Sequence, residues 1–184
     1  MRVIAGKYGS RRIATLRGAA LRPTSDRLRE TLFDILQTRI EGSFFVDGYA
    51  GTGAVGIEAL SRGARAVVFL EKHRASVALI RRNLEALGVT AGAEILAGDV
   101  VANLGELAAQ GEPADILFFD PPYRETQEYE RVLEALAESP LVAAHTLLIF
   151  EREKKHALPA AHGSLTRVRT AVQGDAALDF FTRC

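Results

Sequence analysis

Three sets of positions in this sequence have residue types and spacing suited to chemistry. The first is Gly51-Thr52-Gly53-Ala54-Val55-Gly56, a G-x-G-x-x-G pattern lying between a strand-like and a helix-like stretch. Small residues there let the backbone approach a ligand closely, and the following helix N-terminus offers it unpaired N–H groups. The second is a series of acids at strand ends: Asp47, Glu71 and Asp99. The third is Asp120-Pro121-Pro122-Tyr123, which follows the apolar run Ile116–Phe119.

The loop and the acids point to a nucleotide-like ligand. Glu71 lies twenty residues beyond Gly51, where a carboxylate accepts hydrogen bonds from ribose hydroxyls. A nicotinamide dinucleotide fits this much. Asp47 weighs against it, because a carboxylate four residues before Gly51 repels a pyrophosphate and attracts an amino group. There is also no segment for a separate substrate domain and no evident hydride-transfer dyad. S-adenosylmethionine, with a sulfonium, an ammonium and no phosphate, suits the acids better. Asp99 is placed to accept from its adenine amino group and the Val100 N–H to reach a ring nitrogen, with Ala50 and Lys72 flanking the site.

The Asp-Pro-Pro-Tyr turn suits methylation of an exocyclic amine. Such a nitrogen is a poor nucleophile because its lone pair is delocalised into the ring. An enzyme must hold the NH2 with acceptors so that the lone pair faces the methyl donor. The Asp120 carboxylate and the Pro121 carbonyl are two such acceptors. Pro121 and Pro122 make the backbone rigid, and Tyr123 is a platform on which a displaced base can stack. Positioning then supplies most of the acceleration.

These positions need elements to hold them. A helix is expected from Ser25 or Asp26, with Leu28, Leu32, Ile35, Leu36 and Ile40 on one face, ending at Gly42. Strands are expected at Phe44–Asp47, Ala66–Leu70, Ala93–Ala97, Ile116–Phe119 and Leu147–Glu151. Helices at Ala54–Arg62, Arg74–Leu87, Val100–Ala109 and Glu128–Ala137 alternate with them. Thr166–Val172 and Ala176–Thr182 flank Gly174-Asp175 as an antiparallel hairpin. The alternation defines an α/β chain with a Rossmann-like, seven-stranded, mostly parallel sheet, whose ligands bind beyond the carboxyl ends of the strands. Val3–Ala5 and Arg12–Leu16 are expected to pair as a further hairpin in a basic extension, residues 1–24, ahead of the main domain at 25–184.

Charge is distributed unevenly along the chain. Residues 1–29 hold eight lysines and arginines against Asp26 alone, a net of +7, so the rest carries −7 to reach the formal total of zero. A basic arm on an acidic body suits a polyanionic partner. The one cysteine, Cys184, allows no internal disulfide, and the four histidines lack zinc-ligand spacing. No apolar run is long enough for a membrane span and no signal-peptide h-region follows the basic start. A cytoplasmic monomer without membrane or metal partners is expected.

The glycine loop together with Asp120-Pro121-Pro122-Tyr123 resembles the class I S-adenosylmethionine-dependent methyltransferases that act on exocyclic amines. Arg2-Val3-Ile4-Ala5-Gly6-Lys7, Arg11-Arg12 and the run Arg22-Pro23-Thr24-Ser25-Asp26-Arg27 through Phe33 closely resemble the RsmD family. Ala59 to Ala64 and Gly174-Asp175 add to the likeness, which covers essentially the whole chain. The resemblance implies methyl transfer to the N2 of a guanine in bacterial 16S rRNA, within the small ribosomal subunit or a late assembly intermediate. It further implies that Asp47, Gly51, Gly53, Glu71 and Asp99 bind the cofactor and that Asp120 to Tyr123 hold the guanine. Arg2, Lys7, Arg11, Arg12, Arg22 and Arg27 would grip phosphates, which position RNA without specifying a base. Gly48-Tyr49 departs from the family's Leu-Phe-like pair, a change expected to loosen the loop, and Tyr123 stands where Phe is common. The rival readings are an amino-methyltransferase acting on adenine N6 or cytosine N4 of DNA or other RNA, a nicotinamide-dependent reductase, and a non-catalytic RNA-binding factor.

Overall fold

The computed structural model describes residues 1–15 and 26–184. Its sheet contains β1 (Phe44–Gly48), β2 (Ala66–Glu71), β3 (Ala93–Ala97), β4 (Ala114–Phe119), β5 (Val142–Glu153), β6 (Ala161–His162), β7 (Leu165–Gln173) and β8 (Ala176–Arg183). They lie in the order β3-β2-β1-β4-β5-β8-β7-β6. The pairings from β3 through β5 are parallel, and β8, β7 and β6 add on antiparallel. Five helices connect or precede these strands among the described residues: α1 (Asp26–Leu36), α2 (Ala54–Ser61), α3 (Arg74–Leu87), α4 (Val100–Ala109) and α5 (Gln127–Ala137).

Two apolar clusters cover the two faces of the sheet. Leu32, Ile57 and Ile80 of α1, α2 and α3 pack with Phe45, Phe69, Ile116, Phe118 and Ile149. Leu104 of α4 and Leu133 of α5 pack with Val46, Leu70, Leu117, Phe119 and Phe150. Successive strand residues go to opposite faces. A central strand such as Ile116–Phe119 must therefore be apolar at every position.

Three expectations are corrected. α1 ends at Leu36 rather than at Gly42, with Gln37, Thr38 and Arg39 in a turn. The sheet has eight strands rather than seven among the described residues, because Ala161 and His162 turn back through Gly163 to pair with Thr166 and Leu165. Two residues leave no periodic pattern in a sequence. Among the described residues the N-terminal hairpin is reduced to a single bridge, Arg2 to Arg12, flanked by Val3 N–H on the Arg11 carbonyl and Ile13 N–H on the Met1 carbonyl. The amides of Ile4 and Ala5 turn instead to the buried Glu58 carboxylate of α2, at 2.7 and 3.0 Å. Lys7 N–H donates to the Ser61 carbonyl and Tyr8 N–H to the Ser61 hydroxyl. Val3, Tyr8 and Ile13 enter the core beside α1. Residues 16–25, including the expected cap at Ser25, the end of the second hairpin strand at Leu16, and Arg22, lie outside the described residues.

β5 is longer than its apolar run. Its pairing with β8 continues to Glu153 opposite Ala176. At its start, Thr146 Oγ accepts from Ala143 N–H and donates to the Ala114 carbonyl, spanning a register shift in β4.

Candidate active site

The carboxyl ends of β1, β2, β4 and β5 bring the acids together. Along these strands Phe45, Phe69, Phe118 and Ile149 all belong to the cluster under α1 to α3. Two residues further on in each strand stand Asp47, Glu71, Asp120 and Glu151, which by alternation lie on that same face. Asp47 is opposite Phe69 and Phe118, so it sits two residues deeper than Glu71 and Asp120.

Depth decides what Asp47 does. It is 2% exposed and accepts from the Gly56 N–H in the first turn of α2 at 2.8 Å. Burial pushes its carboxyl up to about 8, with Glu71 adding to the rise and the Gly56 bond opposing it. Glu71 braces the glycine loop from the next strand, accepting from Gly51 N–H at 2.8 Å and from His73 N–H at 2.7 Å. Gly51 and Gly53 have φ of 55° and 76°, which is how the loop turns into α2. Ala50 closes it by donating to the Leu70 carbonyl.

Asp99 caps α4, accepting from Ala102 N–H at 3.1 Å, and forms an ion pair with Arg131 of α5 at 3.3 Å. The Ala102 bond comes first in holding the Asp99 carboxyl below the ordinary carboxylate range, and Arg131 adds to it against the cost of burial. Val100, the first residue of α4, is buried. Lys72 reaches across from β2 to Glu125, beyond the Asp-Pro-Pro-Tyr turn, at 2.9 Å. Tyr49 donates to Glu128 at 2.7 Å, and Arg131 does so from the other side.

Gly48 does not loosen this region. A Cβ there would lie 2.3 Å from the Phe119 ring, so glycine is what allows β1 and β4 to seat that ring. The Asp120 N–H donates to the Gly48 carbonyl, carrying the pairing of β4 with β1 into the turn. Pro121 is buried, Pro122 and Tyr123 are half-buried, and Glu125 N–H closes the turn on the Pro122 carbonyl. Burial, then the Glu151 and Asp47 charges, push the Asp120 carboxyl well above its ordinary range. Beyond Tyr123 a groove of about 370 Å³ is lined by Thr126, Tyr129, Glu153, Lys155 and His156.

The expected phosphate-gripping residues divide. Arg2, Lys7, Arg12 and Arg27 are exposed. Arg11 donates to the Leu87 and Ala86 carbonyls at the end of α3, at 2.8 and 2.5 Å. Ala14 is tied to Asn83 of α3, which also donates to the Thr52 carbonyl in the glycine loop. The arm therefore climbs from the foot of α3 to the ligand end of the sheet. Sequence reasoning missed Glu128, Arg131 and Glu151. Of these only Glu151 carried a signal, an acid closing an apolar strand.

The sheet order, the glycine loop and the row of strand-end acids are those of a class I methyltransferase. Comparison with known proteins agrees. A solved Escherichia coli structure described as a candidate methyltransferase, yhhF, is 32% identical, covers 100% of this chain and 97% of its own, and superposes with a TM-score of 0.83. The family model described as conserved hypothetical protein 95 matches residues 1–182. Ribosomal RNA small subunit methyltransferase D of Haemophilus influenzae is 35% identical over 84% of this chain and 79% of its own. The protein of the same name from E. coli K12 is 32% identical over 100% and 90%. The chain belongs to this family, the RsmD methyltransferases.

Proposed function

We propose that this chain transfers a methyl group from S-adenosylmethionine to the exocyclic N2 of a guanine in 16S rRNA of the small ribosomal subunit. The observation that carries the reading is Asp120, a carboxylate at the end of β4 hydrogen-bonded through its own N–H to β1, beside the glycine loop. The names of the Haemophilus and E. coli relatives support the substrate.

The residues fit the cofactor. The crevice presents the carboxylates of Asp47, Glu71 and Asp99, while the nearby cations Lys72 and Arg131 are paired with Glu125, Glu128 and Asp99. That environment favours a cationic, hydroxyl-bearing ligand over a dinucleotide. Asp47 would attract the ammonium, Glu71 the ribose hydroxyls, and Asp99 and Val100 the adenine, with Ala50, Gly51, Gly53 and Lys72 shaping the cavity. The cofactor supplies an electrophilic methyl on sulfur. Asp120 and the Pro121 carbonyl hold the amine, Tyr123 stacks on the base, and the two prolines keep the acceptors fixed. The basic extension meets RNA through Arg2, Lys7 and Arg12, joined by Arg27 of α1, while Arg11 holds the extension to α3.

Methylation of adenine N6 or cytosine N4 uses the same acceptors. The deciding test is transfer of radiolabelled methyl to small subunits from cells lacking the matching enzyme, wild type beside Asp120→Ala. Label in N2-methylguanosine, lost in the variant, is the expected result; label in another nucleoside overturns the substrate.

A further inference from the structure

Glu151 has no part in the roles assigned above, yet its placement ties it to two of them. β4 and β5 run parallel with Phe119 beside Phe150, so Asp120 and Glu151 are the next residues on neighbouring strands. Strands in a sheet lie about 4.8 Å apart, and residues at matched positions point to the same face. The Glu151 backbone is fixed by pairing with Leu178 of β8, and its carbonyl accepts from the Tyr129 hydroxyl at 3.0 Å. The residue is 3% exposed, and its Oε1 accepts from the Tyr123 hydroxyl at 3.3 Å. One buried carboxylate thus touches the expected stacking ring and stands beside the expected amine acceptor.

We propose that Glu151 is a positioning residue for methyl transfer, holding the Tyr123 ring in place and pairing with Asp120 so that Asp120 receives the amine proton. The inference rests on the amino-methyltransferase reading given above. As the amine nitrogen bonds to the methyl carbon, the sulfur–carbon bond breaks and its electron pair stays on sulfur, which becomes a neutral thioether. The surplus proton on nitrogen passes to Asp120 and then to water. Two carboxylates this close in a poorly solvated site resist ionising together, and the Glu151 charge raises the proton affinity of Asp120. Asp47 from β1 and Glu151 from β5 act on Asp120, the Tyr129 hydroxyl of α5 lies within the field of Asp120, and Arg152, one residue past Glu151, alternates to the other face of the sheet. Arg152 is engaged by Asp179 of β8, and the acids dominate the balance.

The test is the pH dependence of kcat/KM for methylation of small subunits by the full chain and by Glu151→Gln, Glu151→Asp and Tyr123→Phe. The rate rises with pH as Asp120 ionises. Removing the Glu151 charge makes ionisation easier, so the acidic limb of Glu151→Gln moves down by about one pH unit. Glu151→Asp, which keeps the charge, stays near wild type. Tyr123→Phe raises KM and leaves the limb in place. A limb unmoved in Glu151→Gln, with wild type active, overturns the positioning role alone. A wild type that methylates no amino group overturns the functional reading, and the role of Glu151 with it.

Discussion

Replacing Glu58 with alanine is expected to release the N-terminal arm and cost the protein much of its stability. The carboxylate is 1% exposed, although it sits on a helix otherwise made of small and apolar residues. It accepts from Ile4 N–H, Ala5 N–H and, at 2.8 Å, Arg62 Nε, and its Oε2 lies 3.9 Å from Arg29 Nε. Arg29 is itself fully buried, and its Nε and Nη1 have no hydrogen-bond partner among the described residues. Without Glu58 its guanidinium loses its nearest buried counter-charge, and two backbone amides lose their acceptor. Hydrogen bonds to charged groups contribute about 1.5–3 kcal/mol each without adding fully. Breaking a buried ion pair from one side costs about 3–5 kcal/mol, which we take as the total. At about 2–4 °C per kcal/mol for a domain of this size, Tm falls by about 6–20 °C. Calorimetry reads the shift, and hydrogen exchange reads the Ile4 and Ala5 amides, which lose their protection. A drop under about 2 °C, or amides that stay protected, would refute the view that the arm is fastened through Glu58.

Three further outcomes are expected. Gly48→Ala forces a methyl against the Phe119 ring and destabilises by about 1–3 kcal/mol in urea unfolding, whereas a loose loop would tolerate it. The Asp47 carboxyl, raised to about 8 by burial, must ionise to meet a cationic cofactor. Titration calorimetry should therefore show proton release on S-adenosylmethionine binding and an affinity that climbs with pH up to about 8. Asp47→Asn should flatten that dependence. Neutralising Arg2 and Arg12 together should weaken small-subunit binding and reduce the slope of log affinity against log salt by about 2, while leaving Tm nearly unchanged because both side chains are exposed.

Much of the fold was legible because it rests on periodicity. α3 and α4 begin and end where the apolar spacing and the flanking glycines place them, and the run Ile116–Phe119 is apolar because it is covered on both faces. What was hidden depends on partners distant in sequence. Nothing local shows that Ile4 and Ala5 will bond to Glu58 rather than across a hairpin, or that the exposed Arg11 will reach the last carbonyls of α3. Gly48 looked permissive because the Phe119 ring above it comes from another strand. In the candidate site, Asp47, Glu71 and Asp120 could be named from the sequence, whereas Glu151 was passed over as the plain end of a strand. Their shared face, and the greater depth of Asp47, follow from register, which a single chain does not disclose.

The four strand-end acids also decide how a nucleotide can enter. Asp47, Glu71, Asp120 and Glu151 line the crevice with poorly solvated acids, whereas Arg2 and Arg12 of the arm are exposed. A phosphate would lose its hydration among the first without gaining a counter-charge, and is drawn to the second. Under the proposed function, a nucleotide is therefore expected to enter base first, with its backbone left outside. Charge layout alone sorts the two ends of the substrate before any shape is read.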